Sequence, residues 1–366
     1  MEKLSSKVAI VYLSYHADPH LPDVLLALRR MTYPKEQVAF LVVDNFHPEH
    51  GSSEEIIRET FMAESGNTIP EVVVLPQKNN LGFAGGNNIG VTWALDHGYD
   101  YVLFHNDDGY LAANAVEQFV IVMEQDSTIG IAQGLVRLHP QTELVNTSGN
   151  AFHYLGFGFG NDYKVPVENI DTQTVREIDY ASGSCMMIRA DLAHKYGGWD
   201  SDYFLYHEDM EWSFRLRTLG YKIVLVPAAQ FFHKYSFARS IKKFYYMERN
   251  RVGLLITYFK LPTLLLLLPM LLILEAGLWL SAWQGKRLET RKKLYQYWRN
   301  PTHWKLWLAK RKKVQSGRTV SDRELLRHSV AKITFQEEGM NTGLLTYIGN
   351  PLMSVYYWFI RTVIIW

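Results

Sequence analysis

The chain has 366 residues, enough for one large or two ordinary domains with a sizeable core, and its 48% hydrophobic content excludes a disordered or fibrous protein. A formal net charge of +1 hides a split: residues 1–240 carry 17 Lys and Arg against 30 Asp and Glu, and residues 241–366 carry 21 against 7. An acidic front suits metal-dependent chemistry on a soluble substrate, and a basic back rich in Leu and Trp suits an anionic membrane surface; its charges flank apolar runs without forming a nucleic-acid module, so no nucleic-acid partner is expected.

Lys7 to Ser14, Val38 to Asp44, Glu71 to Pro76 and Tyr101 to His105 are short β-branched or aromatic runs, each followed by turn residues and a helix-like segment. Helices are expected at Pro22 to Met31, Ser53 to Ser65, Asn87 to His97 and Ala112 to Gln125. This βαβ rhythm predicts an α/β fold with a mostly parallel sheet covered on both faces, where ligands gather at the carboxyl ends of strands. From Pro140 to Asp179 the pattern loosens into glycine- and aromatic-rich loops or a small antiparallel insertion. A strand at Ser184 to Arg189, a helix at Glu208 to Leu219 and a strand at Tyr221 to Val226 follow, and the first domain is expected to close near Ser236. The division is thus a catalytic domain over 1–240 and a helical, membrane-associated region over 241–366. Cys185 is the only cysteine, which precludes an internal disulfide, and Met1 to Ser6 hold no apolar signal core, so the front is expected to stay in the cytoplasm.

Candidate chemistry sits at the strand ends. Asn79 to Gly90 packs amides and glycines between strand and helix patterns, so backbone N–H groups near Asn80, Gly82, Gly85 and Asn87 could meet a sugar diphosphate at a helix start. A plain glycine-rich turn is the alternative. Asp44 ends an apolar strand, where its carboxylate either accepts from a base or ribose edge or caps a turn. Asn106-Asp107-Asp108 brings paired carboxylates out of a buried strand, as hard oxygen ligands for a divalent cation or as solvated turn acids. Glu208 and Asp209 open a helix after aromatic residues: they favour the helix dipole, or one of them has a raised pKa and takes a proton from a hydroxyl. His233 is either a neutral imidazole ligand or an ordinary polar residue.

In their joint order, Val43-Asp44-Asn45, Asn80 to Gly90, Asn106-Asp107-Asp108, Gly197-Gly198-Trp199-Asp200, Glu208-Asp209 and His233 resemble the family 2 inverting glycosyltransferases of the GT-A fold, particularly the rhamnosyltransferase-like and galactofuranosyltransferase-like branch, over Val8 to Arg251. The resemblance implies a Rossmann-like nucleotide-diphospho-sugar transferase domain. It implies that Tyr15 and Asp44 contact the nucleoside, with Asn80, Gly82, Gly85, Asn87, Asn106 and Asp107 also on the donor side. Asp108 and His233 would hold Mg²⁺ or Mn²⁺, Asp209 would be the catalytic base, and Trp199, Asp200 and Glu208 would support the acceptor side. The partners implied are a nucleotide-diphosphate sugar and a lipid-linked or glycan acceptor at the cytoplasmic face of the cell membrane. His16 departs from the family, which often has Asn there, and Asp107 replaces a frequent Pro. Two rivals are a sugar nucleotidyltransferase and a non-enzymatic, sugar-nucleotide-binding membrane scaffold.

In the back region, Leu261 to Trp283 holds eleven Leu and is long enough to cross a bilayer, but Glu275, Pro262 and Pro269 oppose insertion. The basic stretch Lys286 to Lys313, with one acid, would then lie on the far side, against the positive-inside tendency. A re-entrant or interfacial hairpin bent near Pro269 is expected, with Leu344 to Trp366 as a second surface helix. A soluble helical domain is the alternative.

Overall fold

A computed structural model describes residues 5–235, 244–285, 288–334 and 343–366. The domain end expected near Ser236, the boundary at 240 and the first residue of the basic stretch, Lys286, lie outside the described residues. The chain divides into two units, one of Met1–Asn150, Gly160–Ser213 and Tyr221–Tyr235, the other of Ala151–Phe159, Phe214–Gly220 and Ser236–Trp366.

In the first unit, β1 (Val8–Ser14), β2 (Val38–Asp44) and β4 (Tyr101–His105) are buried along their whole length, as strands covered on both faces must be. They pair in parallel with one another and with β3 (Glu71–Pro76) in the order β4-β1-β2-β3. Beyond β4 the sheet is not mostly parallel, as the sequence rhythm suggested, but mixed. After β6 (Ile129–Leu138) come four short strands, β7 (Val145–Thr147), β8 (Asn150–Phe152), β9 (Gly158–Gly160) and β10 (Arg176–Glu177); β11 (Cys185–Arg189) is then antiparallel to both β4 and β6, and β12 (Lys222–His233) returns parallel to β6. The apolar run of β6 was missed because no helix follows it, so the alternation that flags the other strands is absent. β12 continues seven residues past the expected Val226 to His233 and also pairs with the short β5 (Gly109–Leu111). That extension carries His233 to the edge where β4 delivers Asp108.

The helices α1 (Leu21–Arg29), α2 (Glu54–Phe61) and α4 (Ala115–Gln125) follow the expected segments within a few residues, and a short α5 (Ala190–Tyr196) follows β11. The next differs: α3 runs from Gly82 to Asp96 and does not start near Asn87. Inside it, a Cβ at Gly86 would lie 2.4 Å from the Leu13 side chain and one at Gly90 would lie 2.5 Å from Val11. These two glycines therefore allow close approach of the helix to β1.

The second unit is helical: α7 (Phe244–Tyr258), α8 (Leu261–Gln284), α9 (Leu288–Arg299), α10 (Pro301–Gly317), the short α11 (Asp322–Leu325) and α12 (Asn350–Val363). Trp307 on α10 is fully buried over Gly253 of α7, where any Cβ would meet the indole at 2.4 Å. The carboxylate of Glu248 on α7 accepts from Arg251 at 3.0 Å and from Arg291 of α9 at 3.1 Å. Glu275 of α8 pairs with the same Arg291, so a charged chain joins three helices. The expected hairpin at Pro269 does not form: α8 passes through that proline as one helix. The cost of the lost backbone bond falls on a single turn.

Candidate active site

Elements of the first unit bring the predicted residues to one edge of the sheet. Tyr12 and Tyr15, at the end of β1, fix the turn after β4: Tyr12 Oη donates to the Asp107 carbonyl at 3.0 Å, and the Tyr15 N–H donates to the Asp107 carboxylate at 3.1 Å. Asp107 is thus a strut between strand ends. Asp108, one residue on, is buried and faces His233, with Oδ1 2.8 Å from Nε2. The Asn106 amide donates to Asp108 Oδ1 at 2.6 Å and lies 3.2 Å from His233 Nε2.

The other ring nitrogen of His233 is 2.9 Å from the side-chain oxygen of Asn146. With Nδ1–H donating there, Nε2 turns its lone pair toward a carboxylate oxygen, and two acceptors meet at hydrogen-bond distance. Such a contact requires a proton or a cation between the two atoms. Among the described residues no group of three His, Cys, Asp or Glu converges as a complete metal cage. Two protein ligands of this kind nevertheless fit Mg²⁺ or Mn²⁺, which keeps waters and takes oxygen from substrate phosphates. Asn146 lies in the short strand Val145–Thr147, which pairs antiparallel with β6, and no sequence signal pointed to it.

The glycine-rich segment does something other than form an open cradle. Asn45 and Asn80 bind each other at 3.2 Å, Asn80 Oδ1 accepts the Gly82 N–H at 2.8 Å, and the Asn80 amide donates to Tyr15 Oη at 3.2 Å. Gly82 has φ +70°, and a Cβ there would sit 2.5 Å from the carbonyl oxygen of Phe204. That carbonyl accepts the N–H groups of Phe83 and Ala84 at 2.7 and 3.3 Å. The first helical amides of α3 therefore hold a protein loop. Gly85 lies within the first turns of the helix, and buried Asn87 donates to the Phe83 carbonyl at 3.0 Å. Asp44 is buried with its carboxylate accepting from the Ser52 hydroxyl and, at 3.1 Å, from the Ser53 N–H. Beyond it, Tyr15, His16, His47 and His50 form a ring cluster on the rim, with the Tyr15 and His47 centroids 4.6 Å apart and His16 stacked on His50 at 4.1 Å. Burial and its two histidine neighbours hold the pKa of His47 down.

The loop docked on α3 leads into α6 (Glu208–Thr218) with Phe204, Tyr206 and His207 all at positive φ, between 63° and 66°. Non-glycine residues in that region cost about 1–3 kcal/mol each and persist only where surrounding structure enforces them. The strain sets Glu208 and Asp209 at the helix start. Asp209 is half-buried, accepts the Gly183 N–H at 3.3 Å and the Met210 N–H at 2.7 Å, and has its pKa pushed up to about 6, mainly by burial and against the pull of these amides. Glu208 is held well above the carboxylate range by burial and by the charge of Asp209, and one of its oxygens finds no hydrogen-bond partner among the described residues. The Ser184 carbonyl, next to Gly183, accepts the Asn106 N–H at 3.0 Å. One short segment, 183–184, thereby fastens both acidic sites to the same edge. The nearby Trp199 is a packing residue, buried against Phe83, Phe104 and Trp212, and Asp200 caps a short 3₁₀ turn by accepting from Asp202 at 3.1 Å.

A strand-end acid facing a histidine and a second acid pair behind a strained loop sit on a mixed sheet, reading β4-β1-β2-β3 at one side, of the GT-A type. The comparisons agree: residues 6–252 match the model of the glycosyltransferase-like family 2, and the chain belongs to that family. It is a glycosyltransferase. It is similar to the N-acetylglucosaminyl-diphospho-decaprenol L-rhamnosyltransferase of Mycobacterium tuberculosis, at 24% identity over 63% of this chain and 76% of that one. It is also similar to rhamnosyltransferase WbbL of Escherichia coli, at 28% over 48% of this chain and 69% of that one. The match to the low-salt glycan biosynthesis hexosyltransferase Agl10 of Haloferax volcanii is 25% identical over 38% of this chain and spans 44% of the Haloferax protein. Among solved structures, GalNAc-T7 with UDP, GalNAc and Mn²⁺ superposes with a TM-score of 0.54 at 13% identity, over 71% of this chain and 49% of that one, a likeness of fold.

Proposed function

We propose that this glycosyltransferase is inverting and metal-dependent, and that it moves a sugar, rhamnose first among the candidates, from a nucleotide-diphosphate donor to a lipid-linked or glycan acceptor in cell-envelope polysaccharide synthesis at the cytoplasmic face of the cell membrane. The observation that carries the reading is the pairing, on one edge, of Asp108 facing His233 with Asp209 held beside the Asn106 turn. The rhamnosyltransferase relatives support the donor sugar, and the diphospho-decaprenol acceptor in one relative's name supports a lipid carrier.

In this reading residues 1–240 perform catalysis and residues 241–366 serve the membrane. Tyr15 and Asp44 meet the nucleoside, while Asn80, Gly82, Gly85, Asn87, Asn106 and Asp107 shape the diphosphate side, most of them by fixing backbone. Asp108 and His233 are the residues that would hold Mg²⁺ or Mn²⁺, which when bound offsets the charge that develops on the departing diphosphate. Asp209 takes the proton from the acceptor hydroxyl as the oxygen attacks the anomeric carbon from the face opposite the diphosphate. A pKa near 6 leaves it ionised at neutral pH yet basic enough to accept that proton. Glu208, Trp199 and Asp200 support the helix start and the acceptor side.

The test is a transfer assay with the full chain, dTDP-rhamnose or UDP-galactofuranose, and a lipid-diphosphate acceptor, with the anomeric configuration of the product read by NMR. Inverted product that requires a divalent cation is expected. Release of pyrophosphate from a nucleoside triphosphate, with no sugar transfer, would instead identify a nucleotidyltransferase.

A further inference from the structure

We infer that α8 and α12 together form an apolar platform that enters one leaflet of an anionic bilayer, and that α8 does not cross it. This deepens the membrane part of the proposed function and rests on it. By length and composition alone α8 could cross a membrane. Its neighbours argue otherwise.

Along its first half, Leu261, Leu265, Leu268 and Leu272 recur at intervals of four, three and four residues, one helical stripe, and all face solvent, with Leu265 60% and Leu272 62% exposed. α12 and the π-helical turn before it, Leu345–Gly349, repeat the pattern at Ile348, Leu352, Val355 and Phe359, with Val355 70% and Trp358 71% exposed. The two helices are tied at that level: Tyr356 Oη donates to the Leu266 carbonyl at 2.5 Å, and the Trp366 indole donates to Thr263 at 2.9 Å. The ties run antiparallel, and two exposed apolar stripes on joined helices make a surface of the kind soluble monomers rarely leave bare.

The second half of α8 has different company. Glu275 pairs with Arg291, Tyr295 Oη donates to Glu275 at 2.6 Å, and the Trp279 indole donates to Tyr295 Oη at 3.1 Å, so α9 runs back beside this half. α9 exposes Lys292, Lys293 and Glu289. Charged side chains at that level are strongly disfavoured in hydrocarbon and suited to headgroups. The Leu stripe can therefore sink only until the α9 charges meet the anionic surface, with Trp279, Trp283 and Trp304 partly exposed at the boundary. α10 adds exposed Lys312 and Lys313 without a single acid in the helix. This charge excess selects an anionic lipid surface over an apolar protein partner.

The experiment uses the full chain and sealed vesicles of mixed phosphatidylglycerol and phosphatidylcholine. The unmodified protein should sediment with them, and the double variant Leu265→Glu with Val355→Glu should bind at least tenfold more weakly while keeping its circular dichroism and nucleotide affinity. Because Cys185 is buried, Lys313→Cys gives one reactive thiol, which a membrane-impermeant maleimide should label without opening the vesicles. Labelling of Lys313→Cys that appears only after detergent would overturn the inference in favour of a crossing helix. Vesicle binding by the unmodified chain that the double variant retains in full would overturn the platform alone. A chain that ignores vesicles and forms a dimer broken by Leu265→Glu would overturn both the platform and the membrane reading.

Discussion

The two acidic sites of the catalytic unit are built on opposite terms. Asp108 sits where a shared cation or proton is called for: its Oδ1 accepts from the Asn106 amide and faces Nε2 of the His233 imidazole. Glu208 and Asp209 sit in an apolar, aromatic setting: burial raises both, the charge of Asp209 raises Glu208 further, and two backbone amides donate to Asp209 alone. The contrast assigns roles. A carboxylate oxygen that faces a histidine nitrogen is placed to hold positive charge, and a carboxylate whose affinity for a proton has been raised is an acceptor of protons.

Exchanging the character of each site breaks the comparison in different ways. The largest expected effect is that of Asp209→Asn, which keeps the shape of the helix start but cannot accept a proton: transfer should fall by about 10²- to 10⁴-fold with donor affinity retained, as read by turnover beside nucleotide titration. A dead Glu208→Gln with an active Asp209→Asn would reverse the two roles. Asp108→Ala should lower turnover by about 10²- to 10³-fold and, unlike Asp209→Asn, should also weaken cation-dependent donor binding, checked by calorimetry with and without Mg²⁺.

Two smaller effects sharpen the assignment. Asn146→Ala removes the group that orients His233, so the Mn²⁺ requirement should rise by about 10- to 100-fold while turnover at saturating metal stays near that of the unmodified chain. A plain folding defect would lower turnover at every metal concentration. Finally, the raised pKa of Asp209 sets the sign of the pH dependence: the base works only when ionised, so kcat/KM should be flat above about pH 6 and fall by about tenfold per unit below it. An acid limb near pH 4 would mean that the residue is not the base.

The strands β1 to β4 were legible because each is a short apolar run closed by turn residues, and Asp44 and Asp108 could be placed at strand ends by counting. The glycines of the Asn80 segment were visible too, but their use was not. Gly82 accommodates Phe204, more than a hundred residues away, and Gly86 accommodates Leu13. Likewise, no local pattern marks Asn146 as the partner of His233, or Gly183 as a donor to Asp209. These contacts join segments whose separation in the chain is unrelated to their separation in space.

Residue type and period therefore established the βαβ front, the positions of the acids, the charge division and the apolar helix near the end, because each depends on neighbours within a turn or a strand. Tertiary packing decided the rest: the antiparallel β11 between two parallel sets, the reach of β12 that brings His233 to Asp108, and the alignment of α9 with the second half of α8. Hydrogen-bond ladders and buried ion pairs form between whichever segments the fold brings within about 3 Å, and no period in the chain encodes that proximity.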